Sequence, residues 1–113
     1  MARRNILLDA LPFPVEQSLK RLGTDLRRAR LRRNLSLETV AEKIGANRRV
    51  VADAEKGKPS TGIAIYAALL WTFGLLPQLD DVGSPERDTE GLALADMRER
   101  LRAHPSGGLS DDF

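Results

Sequence analysis

The sequence predicts an all-α protein, a small helical bundle with an additional helix near its C-terminus. Apolar residues recur at three- and four-residue spacing, which is the period of a helix face. Gly, Pro, Ser and Asn separate these runs where helices start and stop. A length of 113 residues is about one small domain, and 42% hydrophobic residues with only 4% aromatics suit a core of Leu, Ile, Val and Ala.

Residues 1–13 read as an N-terminal arm that ends at Pro12, and Pro14 fits the first position of a helix. Val15, Leu19, Leu22, Leu26 and Ala29 then line one face of a helix to about residue 33. Its opposite face holds Arg27, Arg28 and Arg32, and Gly23 inside it weakens it slightly. Ser36 is the expected N-cap of a second helix, with Glu38 in its first turn and Val40, Ala41 and Ile44 on its apolar side. Gly45 ends it, because glycine takes the left-handed conformation that a tight turn demands.

Asn47 caps a third helix, with Val51 and Ala54 facing inward and Gly57 and Pro59 stopping it. The charges of this helix, in NRRVVADAEKG, run against its macrodipole. Arg48 and Arg49 occupy the first turn and Glu55 the last, at a cost of roughly 0.3–1 kcal/mol per exposed charge. Helix stability therefore does not explain them. A fourth helix, 62–73, starts at Ser60 or Thr61 and is apolar nearly all round, so it is expected to be buried on more than one side. One of those sides is expected to be a dimer contact, with Ile65, Leu69, Trp71 and Leu76 as candidates. The helical domain spans 14–76, an acidic linker 77–87, and a last amphipathic helix 88–103 presents Leu92, Leu94, Ala95, Met97 and Leu101. The tail 104–113, rich in Gly, Ser and Asp, is expected to be mobile.

Charge is unevenly divided along the chain. Residues 20–58 carry twelve Lys/Arg against five Asp/Glu, whereas 59–113 carry four Arg against nine acids. A basic segment facing a polyanion and an acidic segment facing something else would give that asymmetry. The chain has no cysteine, so disulfides and thiolate metal sites are excluded. The N-terminal apolar run is broken by Asp9, Pro12 and Pro14, unlike a secretory signal, and the run 63–76 is too short for a membrane span. A soluble cytoplasmic protein is expected.

Two short helices joined by Gly45, Ala46 and Asn47 make a helix-turn-helix, a motif whose second member can enter the major groove of DNA. Ala41 lets the helices approach, Gly45 turns the chain, and Val40, Ile44, Ala46, Val51 and Ala54 are apolar where the helices meet. These are seven matching positions in fifteen residues. The segment LGTDLRRARLRRNLSLETVAEKIGANRRVVADAEKGKPS resembles the Xre/Cro-type helix-turn-helix family of phage repressors and bacterial regulators, over about residues 22–75. The resemblance implies a lambda-repressor-like fold and double-stranded DNA as partner.

It also implies roles for particular residues. Arg30 of the first helix would pair with Glu55 of the terminal E-x-G, a scaffold contact that outweighs the dipole term. Arg48, Arg49 and Asp53 align with base readers. Arg bonds guanine O6 and N7, and Asp either accepts from cytosine N4 or steers a neighbouring arginine. Asn47 and the amides it caps would meet a phosphate, with Lys43, Arg32, Arg33, Lys56 and Lys58 as further phosphate candidates. Many family members have Gln where this chain has Leu37, which cannot donate to the backbone there.

The flanks, LPFPVEQSLKRLG and IYAALLWTFGLLPQLDDVGSPERDTEGLALA, resemble antitoxins of the HipB type, which dimerise, repress their own operon and bind HipA-like serine/threonine kinase toxins. That implies a near-palindromic operator and a toxin partner facing Asp80, Asp81, Glu86 and Asp88. A stand-alone repressor, and an interaction module whose helix-turn-helix no longer binds DNA, are the alternatives. Catalysis is not expected, and neither is a cofactor. His104 is the only histidine, and no Ser/His/Asp set, metal-ligand cluster or glycine-rich phosphate loop can be assembled.

Overall fold

The structure is a computed structural model that describes residues 5–103. The first four residues of the arm and the tail 104–113 lie outside it. The described residues form a small all-helical bundle without strands: α1 (Ile6–Asp9), α2 (Phe13–Arg32), α3 (Leu37–Ile44), α4 (Arg48–Glu55), α5 (Ile63–Thr72), α6 (Leu76–Leu79), a 3₁₀ turn (Pro85–Arg87) and α7 (Thr89–Ala103). None of these helices is long and apolar enough to cross a membrane. The chain divides after Leu79 into two compact units.

In the first unit α3 packs on α4 and α5, and α4 packs on α2. Leu26, Ala29, Val40, Ala41, Val51, Ala54, Tyr66, Leu69, Leu70 and Phe73 form its core. Each fully buried Leu or Val among them, such as Leu26, Val40 and Val51, contributes about 1.5–3 kcal/mol.

Local chemistry sets the helix ends. Asn34 closes α2 in the left-handed conformation (φ 55°), with Leu35 N–H donating to the carbonyl of Arg30 at 3.2 Å. The Ser36 hydroxyl accepts from Thr39 N–H at 3.0 Å and so caps α3. Gly45, at φ 72°, ends α3, and Ala46 N–H returns to the Ala41 carbonyl at 2.9 Å. Asn47 Oδ1 accepts from Val50 N–H at 2.9 Å and opens α4.

Several boundaries differ from expectation. The arm contains α1, capped by Asn5, which accepts from Leu7 N–H at 3.0 Å. α2 begins at Phe13, with Pro12 rather than a residue after it as N-cap. Gly62, not Ser60 or Thr61, is the N-cap residue of α5, and it offers no side-chain hydrogen bond. The bundle continues to Leu79, because Leu79 packs against the core where a linker was expected. Pro85 shapes a further turn inside that stretch.

In the second unit α7 packs against the 3₁₀ turn and buries no residue. At about 100° per residue, Leu94, Met97 and Leu101 share one stripe while Leu92 points the opposite way. The expected single apolar face is therefore split, and all four side chains are more than half exposed.

Candidate nucleic-acid interface

The candidate interface is the N-terminal half of α4 with the turn that precedes it. Val51 and Ala54 are completely buried beneath the helix, which fixes its outward face. Arg49, Asp53 and Lys56 fall on that outward side, and Arg48 flanks it in the first turn. Asn47, Arg48, Arg49 and Lys56 are exposed. With no acid in its first turn and no base in its last, α4 concentrates positive charge where its own unpaired amides already point. An anion placed there meets amides, dipole and guanidinium groups together. Ala52 also lies toward the outward side and is half-buried, a small apolar residue of the kind that fits a thymine methyl. Sequence reading passed over it, although its spacing from Arg48 places it one turn further along the same flank.

What holds α4 in place comes from α2. Arg30 Nε and Nη2 donate to Glu55 Oε2 and Oε1 at 2.6 and 3.0 Å, and Nη1 donates to the Leu35 carbonyl at 2.9 Å. Both side chains are over 90% buried. The hydrogen bond to Glu55 raises the Arg30 pKa further above its ordinary value, against the burial that lowers it. This matches the pairing that the resemblance implied, and it explains why Glu55 tolerates the wrong end of its helix.

A second fixing contact was not legible as such. A Cβ on Gly23 would lie 2.6 Å from the carbonyl oxygens of Ala54 and Glu55, and one on Gly57 would lie 2.6 Å from Lys20 Cα. The middle of α2 therefore meets the end of α4 backbone to backbone, and Gly23 is there for closeness rather than as a flaw in the helix. The loop that follows is pinned too. The Tyr66 hydroxyl donates to the Lys58 carbonyl at 3.1 Å, and Lys58 N–H donates to the Asp53 carbonyl at 3.1 Å.

Other expected site residues have different surroundings from those expected. Asp53 is half-buried and pairs with Lys58 at 3.7 Å, so the cation it engages lies in the following loop and is neither Arg48 nor Arg49. Arg33 is a correction. Its Nη1 and Nη2 donate to the carbonyls of Ala29 and Phe73, both at 2.9 Å, and its guanidinium stacks 5.4 Å from the Phe73 ring centroid. Those donors close the ends of α2 and α5 and are not directed at a phosphate. Arg32 is exposed on the far side of α2 from the core. Lys43 is exposed and lines a shallow depression with Trp71 and Thr72.

Of the dimer candidates, Leu69 is a correction as well. It is 1% exposed at the centre of the core, because α5 turns that side toward α3 and α4. Ile65 packs partly buried against the same core, and Leu76 is half-buried. Trp71 is 61% exposed and Ile63 74%, and helical spacing puts them on one flank of α5 with Ala64 and Ala67. Leu37, where many proteins of the resembled family have Gln, packs partly buried against the core, as an apolar side chain does.

The chain matches no protein-family model, and no curated protein or solved structure is significantly similar to it.

Proposed function

We propose that this chain is a sequence-specific DNA-binding repressor. It works as a homodimer and is the antitoxin of a type II toxin–antitoxin pair of the HipB kind, repressing its own operon and neutralising a HipA-like kinase in the cytoplasm. The observation that carries the DNA reading is α4 itself. Its exposed first turn holds Arg48 and Arg49 without an acid partner among the described residues, while its buried end is fastened to α2 by Arg30 and Glu55. A helix so fastened presents its arginines in fixed register, which discrimination of roughly 1–3 kcal/mol per base contact requires. Two such helices, related by a two-fold axis, read half-sites about 34 Å apart in a near-palindrome.

The antitoxin part rests on the flanking sequences and on the acidic stretch containing Asp80, Asp81, Glu86 and Asp88. A kinase-like gene beside this one would support it, and the absence of such a gene would leave a stand-alone repressor. In a gel-shift competition between the upstream DNA of its own gene and random duplex, Arg48→Ala with Arg49→Ala is expected to abolish the preference while helical content is unchanged. A double variant with full selectivity removes these arginines as readers.

The core-facing Leu37 favours one other reading, an interaction module that has lost a DNA contact. Salt-dependent binding to its own upstream DNA decides against that module.

A further inference from the structure

A second basic surface lies on the back of α2. Gly23, Leu26, Ala29 and Arg30 of this helix are buried, which defines its inner face, and α4 packs there. At about 100° per residue, Lys20, Arg21, Arg27, Arg28 and Arg32 all fall within about 140° on the opposite side. Each of the five is exposed. Lys20 has only a loose pairing with Glu16, at 3.9 Å, and the four arginines have no acid partner among the described residues. Arg21, Arg28 and Arg32 form a ridge about 16 Å long. Two shallow depressions flank it, one lined by Thr24, Arg27, Arg28, Leu31 and Arg32 and the other by Asp25, Arg28, Arg32 and Arg33, reaching Leu75 and Gln78.

We infer that this ridge is a second, sequence-independent surface for the nucleic-acid backbone. Its composition decides between polyanions. The cores of protein–protein interfaces are depleted in charge and built on apolar anchors, and here Leu31, 49% exposed, is the one large apolar side chain among five cations, with Asp25 the single acid at the edge of the face. Interfaces with nucleic acid are polar and strongly basic, as this face is. Its direction decides what it can reach. The ridge points away from the side of α2 on which α4 sits, and duplex DNA is stiff over ~150 base pairs. A short duplex held by α4 therefore cannot wrap round to the ridge, and the ridge takes a second duplex segment. One chain would bridge two stretches of DNA. The bridging rests on the DNA reading of α4, whereas the ridge itself does not.

The test uses the full chain, a labelled random-sequence duplex of about 30 base pairs, and a potassium chloride titration. Arg21→Ala, Arg28→Ala and Arg32→Ala together are expected to lower the slope of log K against log salt by about 2.7, or ~0.9 per arginine. Lysine at the same three positions is expected to restore that slope, which a mere loss of folding would not allow. Energy transfer between donor-labelled and acceptor-labelled duplexes, mixed with the wild-type chain, reports bridging. It is expected to vanish in the alanine triple variant and also in Arg48→Ala/Arg49→Ala. An unchanged slope in the triple variant overturns the proposal, as does energy transfer that survives it. If the triple variant binds duplex normally but no longer binds poly-glutamate, the ridge serves an acidic protein and the proposal fails. A slope lost in the triple variant but intact in Arg48→Ala/Arg49→Ala removes the α4 reading and leaves the ridge standing.

Discussion

Arg30 makes three hydrogen bonds with one planar head, two to Glu55 and one to the carbonyl of Leu35, so it ties α2, the turn after it and the end of α4 together. Removing one partner of such a buried pair strands the other charge, at about 3–5 kcal/mol. Arg30→Ala is therefore expected to lower the unfolding free energy by that amount in urea, and Arg30→Met with Glu55→Leu by much less. The pair was reached through a family resemblance, since nothing in the spacing of residues 30 and 55 marks them as partners. Tyr66 gives a pH test. Burial raises its pKa above the ordinary 10.0, and the charge of Asp53 adds to this, so the folded state favours the neutral phenol. Its contribution is complete below pH 10 and is lost as pH rises through the raised value. The urea midpoint of the wild-type chain should thus fall more steeply above pH 10 than that of Tyr66→Phe.

At the scale of elements, α3 and the start of α4 were legible to the residue, because their limits are set by local chemistry. Ser36 and Asn47 cap, Gly45 turns left-handed, and the apolar positions between them repeat at helical spacing. α1 and α6 went unread and have no such marks, whereas α5 was legible as a helix but not in which side it buries. α1 and α6 are four residues each, and α5 is apolar on every side, so its pattern could not say that Leu69 faces inward and Trp71 outward. The basic back of α2 was visible as a period, but the engagement of Arg33 with Phe73 depends on two segments forty residues apart. Gly23 is the clearest case. Propensity makes Gly23→Ala a gain of about 1 kcal/mol in an exposed helix. Here the new methyl meets the carbonyls of Ala54 and Glu55 at 2.6 Å, and overpacking of that kind costs about 1–3 kcal/mol. A lowered thermal midpoint for Gly23→Ala is the expected outcome, measured by circular dichroism.

At the scale of the molecule, every core residue lies between Leu26 and Phe73, so the first unit carries the hydrophobic burial that the described chain has to offer. Ile63 and Trp71 form one of its exposed apolar flanks, beside those of α1 and the start of α2, and this flank is the candidate contact of the proposed homodimer. Trp71 is the only tryptophan, which makes the test direct. If this flank is the dimer contact, the emission maximum of the dilute protein should be that of a solvated indole and should shift to the blue as concentration rises. Emission that stays constant through a mass change seen by light scattering places the contact elsewhere.

The reversed charges of α4 have a consequence for how the protein responds to its medium. In the unbound chain Arg48 and Arg49 oppose the dipole of their own helix, and dissolved ions weaken that opposition. In the DNA complex proposed above, the same two arginines would also feel the attraction of the nearby phosphates, and the same ions would weaken it. Under that proposal, ionic strength would pull the two states in opposite directions, firming the helix when it is alone and weakening its hold on DNA.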